Sequence, residues 1–296
     1  MKAIIHLMIF VGIIIMTSNI YRYVSFMYHS KDVLSDIKLS EKIWKLVGAV
    51  LLVFFLCGYI GIVVFGHPDI LMASILLGGS VFVAIVLTLM FHLIETAKKR
   101  SIEVAEVLIE VIEARDSNLN GHSRYVQNLT MLFFKYIPSE LRKGINDVSL
   151  EYAALLHDVG KLGVPESVLN KPGMLNQEEW KIMRTHPQTG GEILKPLKSF
   201  ESIIPWIEYH HERIDGKGYY GLTEEEIPMA ARIIAIADTY SAITMKRAYK
   251  PAKSHEEAIE IIKRAAGTQL DAVLVKVFCS IPKEELEECI PECLEK

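Results

Sequence analysis

Histidine and aspartate recur along this chain at positions that can assemble a metal centre. His157 and Asp158 are adjacent in the run HDVGKLGVPES, and His186, the pair His210-His211 and Asp238 follow. An imidazole nitrogen beside a carboxylate can hold one divalent ion and begin to bridge to a second. Four histidines and two aspartates, with no thiolate, suit iron, manganese or zinc better than calcium or copper(I). Six ligands exceed what one catalytic ion with open positions needs, so two ions sharing Asp158 is the economical assignment. Two ions about 3.5–4 Å apart can hold a bridging hydroxide and clamp both oxygens of an in-line phosphoryl displacement. Lys161, three residues after Asp158, is placed to hold a phosphate oxygen and stabilise developing charge. A solvated lysine is the alternative for that residue.

Helices must position these groups. Asp238 lies in ARIIAIADTYSAIT, apolar on nearly every face, and a buried carboxylate there needs a partner. The pattern predicts a helix from Val148 to Asp158, with Gly160 as its C-terminal stop. Further helices are expected over Glu178–Arg184, capped by Asn176, and over Phe200–His211 and Met229–Met245. Ser254-His255-Glu256-Glu257 reads as a capping box before Ala258–Ala266, which Gly267 ends. Asp271–Ser280 and Glu284–Leu294 read as terminal helices. Residues 212–221 are a glycine-rich loop, and no alternating strand pattern appears. The fold class is therefore all-α.

The chain has 296 residues, and its ends differ in composition. Residues 1–94 carry three long apolar runs: Ala3–Ile20, Ile43–Phe65 and Ile70–Ile94. Each approaches or exceeds the roughly 20 residues that span a bilayer core. The first is too long, and lacks a small-residue cleavage site, to read as a signal peptide. His6 and His92 read as packed or interfacial residues. Lys/Arg bias (Arg22, Lys31, Lys38 and Lys42 in the first loop, none in Gly66–Asp69, then Lys98-Lys99-Arg100) places the N-terminus outside and the C-terminal body inside. That body carries a net charge of −6 over 202 residues, which argues against a nucleic-acid polymer as partner. Cys57, Cys279, Cys289 and Cys293 lack the further ligands of a zinc site. Residues 95–116 form a helix pattern in which Ile102, Ala105, Ile109 and Ile112 recur at three-four spacing. That stripe either pairs with a second copy of the chain or packs on the core of the following domain.

Six ordered strings resemble the HD-GYP family, a branch of the HD phosphohydrolases: EARDSNLNGHSRYV at 113–126, LLHDVGKLGVPESVLNKPGMLNQEEW at 155–180, HPQTGGEIL at 186–194, HHERIDGKGYYG at 210–221, ARIIAIADTYSAIT at 231–244 and GTQLDAVLV at 267–275. The resemblance covers about residues 105–282. It implies an all-helical domain around two or three metals that hydrolyses cyclic di-GMP to pGpG, and often onward to GMP. Carried over by motif, the metal ligands are His157, Asp158, His186, His210, His211 and Asp238. Lys161 becomes the phosphate-binding lysine, Asp215, Gly216, Gly218 and Tyr219 shape the pocket rim, and Arg247 faces the ligand. The resemblance implies a cyclic dinucleotide substrate, two divalent ions (iron or manganese, with zinc as an option), a lipid bilayer, and pairing with a diguanylate cyclase. With the apolar runs, the division expected is a membrane domain at 1–94 in a bacterial inner membrane, a signalling helix at 95–116, and the phosphohydrolase domain at 105–282 and a C-terminal helix at 283–296 in the cytoplasm.

Three departures bear on these expectations. The loop usually reads Gly-Tyr-Pro, and here it reads Gly218-Tyr219-Tyr220. Ser241 stands where a second Asp often follows Asp238. Three-metal members carry Glu four residues before the His of the GHS string; here Asn118 precedes His122. Two metals are therefore expected, with His122 outside the ligand set. A non-catalytic nucleotide receptor, or a hydrolase of another nucleotide, are the competing functions.

Overall fold

The computed structural model describes residues 2–29, 39–116, 121–246 and 251–291. Asn118, Arg247, Cys293 and the loop lysines Lys31 and Lys38 lie outside them. The chain is all-helical; apart from one isolated bridge between Ala266 and Leu270, no β-structure occurs among the described residues. Contacts divide it into two units, Met1–Arg100 and Ser101–Lys296.

The first unit is built from α1 (Lys2–His29), α2 (Leu39–Phe65) and the start of α3 (Ile70–Arg115). Three segments are long and apolar enough to cross a membrane: Lys2–Met27, Leu46–Phe65 and Ile70–Thr96. Most of their large side chains face outward, as Phe54, Phe65 and Phe82 do. Small clusters and polar bonds join the helices. Asn19 Nδ2 donates to the Ser80 carbonyl at 3.1 Å, and the Tyr59 hydroxyl donates to the Leu76 carbonyl. Such bonds between apolar helices each contribute about 0.6 kcal/mol on average.

The second unit contains the end of α3 and then α4 (His122–Tyr136), α5 (Asp147–Leu156), α6 (Glu166–Leu169), α7 (Gln177–Met183), α8 (His186–Leu194), α9 (Ile204–Glu208), α10 (Met229–Thr244), α11 (His255–Ala265), α12 (Ala272–Phe278) and α13 (Lys283–Glu287). Helix α10 is central. It packs on α4, which packs on α5. Ile233, Ile234, Ile236 and Ala237 bury three sides of α10. Phe133 of α4 meets Phe278 of α12 edge to face, with centroids 5.1 Å apart. Ala105, Ile109 and Ile112 of α3 join this core, so their stripe packs on its own domain.

Several ends are set by local chemistry. Asn176 and Glu179 form a reciprocal capping box at α7, and Ser254 and Glu257 form another at α11. Asp271 caps α12 through the amides of Val273 and Leu274. Other ends differ from the pattern-based expectation. Phe200–His211 is not one helix: a 3₁₀ segment, Lys198–Ile203, precedes α9, which starts with Pro205 in its first turn. The last helix stops at Glu287, not Leu294; Pro291 disfavours helical backbone at the residue before it. Helix α5 stops at Leu156, with His157 as its C-cap.

Gly160 is the residue that brings the next helix into place. It sits in a 3₁₀ turn, Val159–Gly163, rather than at a helix stop. A Cβ at this position would collide with the His186 carbonyl and would lie 2.4 Å from the Gly190 nitrogen. Only glycine lets α8 lie directly on the turn that follows His157-Asp158.

Phe133→Ala removes a fully buried ring from the α4–α12 contact. The expected cost is about 3–5 kcal/mol, seen as a fall of roughly 10 °C in the melting temperature of the detergent-solubilised chain. A fall under 2 °C would show that the second unit is not organised around this ring.

Candidate metal centre

Three histidines are presented by the same local device. His157 follows α5, His186 opens α8, and His210 follows α9. In each, ring Nδ1 lies against the carbonyl three residues earlier: Ala154 at 2.7 Å, Met183 at 2.8 Å and Ile207 at 2.6 Å. An Nδ1–H donated to that carbonyl leaves the lone pair on Nε2. The Nε2 atoms of His157, His186 and His210 are all buried and make no hydrogen bond. A buried polar atom without a partner costs about 1–3 kcal/mol, and three such atoms aimed at one carboxylate are what a metal site requires.

That carboxylate is Asp158, 3% exposed. Its Oδ1 lies 3.2 Å from His186 Nε2, and its Oδ2 lies 3.4 Å from His157 Nε2 and 2.7 Å from Lys161 Nζ. Burial alone would raise its pKa. The Lys161 ammonium and the His157 imidazole outweigh burial and hold Asp158 well below the usual carboxylate range. Asp238 behaves alike: burial opposes ionisation, but the His122 hydrogen bond and the surrounding imidazoles keep its pKa low. Both carboxylates are therefore anionic at neutral pH.

Ligand atoms form two groups that share Asp158. One contains Asp158, His186, His210 and His211; the other contains His122, His157 and Asp158. Asp238 borders the second group, with Oδ1 3.2 Å from His122 Nε2 and 3.9 Å from His157 Nε2. Burial and the neighbouring His186 ring hold the His211 imidazole down at about 3, so it is neutral and ready to ligate. Burial likewise holds His210 and His122 below the usual histidine range. All six residues expected as ligands are therefore brought together, and the donor set fits two ions.

His122, expected outside the ligand set, is inside the cluster. It is 1% exposed at the start of α4, and its Nδ1 lies 2.9 Å from Ser241 Oγ on α10. Ser241, in the position where a second Asp often stands, is thus the partner that orients this ring. The signal for His122 was its place in the GHS string, but its value as a ligand depends on α4 lying across α10. Asp116 was also missed. Its carboxylate lies 3.9 Å from Lys161 Nζ, so Lys161 faces two aspartates.

Beside His210, His211 and Asp238 opens a cavity of about 430 Å³. Its lining includes Arg184, Arg213, Lys217, Gly218 and Tyr219, together with Thr239 and Gln269. Asp215 and Gly216 build the loop behind this rim. The Asp215 carboxylate takes both Arg213 Nε, at 2.9 Å, and the Arg213 terminal nitrogen, at 2.7 Å. That pairing lowers the Asp215 pKa to about 2. Tyr219 is enclosed by the His211 ring, with centroids 4.8 Å apart, and the Arg184 guanidinium, 5.3 Å from its centroid.

The HD domain family matches residues 106–274. A curated cyclic di-GMP phosphodiesterase of Thermotoga maritima is 37% identical over 190 residues, 62% of this chain and 50% of its own length. A second protein of that description, from Vibrio cholerae, is 36% identical over 200 residues, covering 63% and 41%. A 3'3'-cGAMP-specific phosphodiesterase 3 of Vibrio cholerae is 33% identical over 183 residues, covering 59% and 38%. The chain spans half or less of the length of these curated relatives. The matched residues include every group that converges on Asp158, and the chain belongs to the HD domain family, in its HD-GYP branch.

Proposed function

We propose that this chain is a metal-dependent phosphodiesterase that opens cyclic di-GMP to pGpG. The observation that carries this reading is the set of three unpartnered, buried Nε2 atoms around a shared, anionic Asp158, beside a cavity rimmed with cations. Relatives described as cyclic dinucleotide phosphodiesterases support it. The ligand assignment is His186, His210, His211 and Asp158 for one ion, and His122, His157, Asp158 and Asp238 for the other. Imidazole with carboxylate favours iron or manganese, with zinc also suited.

When bound, the ions supply Lewis acidity to a phosphodiester and lower the pKa of water beside it. The protein's own residues do the rest. Lys161 holds a non-bridging phosphate oxygen, and Asp116 and Asp158 keep its ammonium at the edge of the centre. Arg184, Lys217 and Tyr219 hold the dinucleotide in the cavity. Arg247, beyond the described residues, is proposed for the same ligand. Hydrolysis breaks one P–O bond of the ring, water oxygen joins phosphorus, and a proton passes to the departing ribose oxygen. The body of the chain is acidic, so rim cations and the two ions provide the positive charge that the phosphates need. The three apolar helices anchor the enzyme in a bacterial inner membrane, with the N-terminus outside and the HD unit in the cytoplasm.

The test begins with the full chain in detergent, loaded with iron or manganese without oxygen. Two ions per chain are expected, and chelation should abolish turnover until metal is restored. Asp158→Ala should lose both ions and His122→Ala one. Two ions retained by His122→Ala would remove it from the ligand set. Product chromatography with cyclic di-GMP and 3'3'-cGAMP then reads the substrate. Cyclic di-GMP bound but left intact by the loaded protein would sink the phosphodiesterase reading.

Lys161→Met separates the phosphate contact from metal binding. Metal content should stay at the wild-type level while kcat falls by about 10²–10³. An unchanged kcat would return Lys161 to the status of a structural partner of Asp158.

Reporter fusions test the orientation. A fusion after Lys99 should report a cytoplasmic position, and one at Pro68 an external position. The reverse pattern would overturn it.

A further inference from the structure

The loop that carries Tyr219 is held by a residue that neither the metal centre nor the phosphate contact uses. Glu212 directly follows His211 and is 5% exposed. Its two oxygens take one backbone N–H each: Tyr220 N–H donates to Oε1 at 2.7 Å, and Leu222 N–H donates to Oε2 at 2.7 Å. Hydrogen bonds to a buried carboxylate are short and strong. Gly218 makes the arrangement possible. A Cβ there would lie 2.6 Å from Glu212 Cα and 2.7 Å from its Cδ, so the loop crosses Glu212 only where no side chain intervenes.

The clamp has a direct consequence for the cavity. Tyr219 lies between Gly218 and Tyr220, and its ring rests on His211 and under Arg184. Gly218, Tyr219, Arg184 and Glu212 all line the cavity. A carboxylate that holds the chain directly after Tyr219, while Gly218 crosses it just before, therefore fixes the wall against which a ligand packs. Tyr220 stands where the usual pattern has Pro. Proline has no N–H and could not donate to Oε1. In this chain the rigid φ of Pro is replaced by a hydrogen bond to a buried anion. The Tyr220 ring meets the Tyr209 ring, with centroids 5.6 Å apart.

We infer that Glu212 is a positioning residue for the substrate wall: it clamps the 218–222 loop through the amides of Tyr220 and Leu222, and so holds Tyr219 in place. Glu212 touches no reacting atom. It acts on binding through the loop, and the amide of Tyr220 completes it. The identity of the ligand as a cyclic dinucleotide rests on the proposed function, but the clamp itself rests on the geometry alone.

The experiment uses the full chain in detergent, metal-loaded, as wild type and as Glu212→Gln, Tyr220→Ala and Tyr220→Pro. Three quantities are read: metal content, KM and kcat for cyclic di-GMP, and hydrogen exchange over residues 218–222. A glutamine presents one acceptor and one donor, so it can keep only one of the two bonds. Glu212→Gln is expected to raise KM at least fivefold with kcat within threefold and metal content unchanged. Its loop amides should exchange at least tenfold faster. Tyr220→Pro should follow it, whereas Tyr220→Ala, which keeps the N–H, should stay near wild type in KM. The inference is overturned if Glu212→Gln exchanges at the wild-type rate, if it loses metal, or if Tyr220→Pro lowers KM. If the wild-type protein turns over no cyclic di-GMP, the phosphodiesterase reading fails. Exchange at 218–222 and the calorimetric affinity for cyclic di-GMP then decide the clamp on their own.

Discussion

A single buried carboxylate organises the second unit. Asp158 sits where water cannot solvate it, and an isolated ion in such a place would cost several kcal/mol. Its surroundings answer that cost in three ways. Lys161 supplies a cation at 2.7 Å, imidazoles of His157 and His186 approach from two other sides, and the unpartnered Nε2 atoms leave room for metal. Most of what reaches Asp158 comes from helix ends, α5, α8, α9 and α4 through His157, His186, His210 and His122, while Asp238 comes from within α10. The fold is a means of bringing those ends together around one anion.

Helix ends suit this task for a plain reason. The last carbonyls of a helix have no partner within it. His157 and His210 use such carbonyls, on α5 and α9, to fix their rings, and His186 uses the end of α7 while it opens α8. One interaction thus satisfies an orphan carbonyl and sets the tautomer of a ligand. Gly160 then removes the last obstacle, since without a side chain it lets α8 rest on the turn after Asp158.

The cavity wall is built by different physics from the His/Asp cluster. The cluster is buried and held largely by helix ends. The wall is a loop, which lacks regular backbone bonds and must borrow them. Arg213 and Asp215 tie its first turn, the Asp215 amide donates to the Thr268 carbonyl, and Glu212 ties its second half. Tyr220, at the position where the loop pattern usually has Pro, lies in that wall.

Much of this was legible in the chain itself. Apolar runs, capping residues and the spacing of His and Asp identified an all-helical body, three helices long and apolar enough to cross a membrane, and six of the residues around the centre. These signals are local: a capping box needs four residues, and an apolar span needs about twenty. Helix ends were less legible, since Pro205 and Pro291 cut short two segments that periodicity alone would extend.

What the linear order could not decide was which residues meet. Asp116 and Glu212 carried no distinctive local signal, and the GHS string that marked His122 could not show what its ring would face. A histidine at the start of α4 joins the cluster around Asp158 only because α4 meets α10 at Ser241. An aspartate after α3 matters because it faces Lys161. A glutamate after two ligands becomes a clamp because the loop folds back over Gly218. Sequence determined the chemistry on offer and the elements that carry it. The tertiary structure decided the partners, because the pairing of buried polar groups depends on distances between residues far apart in the chain.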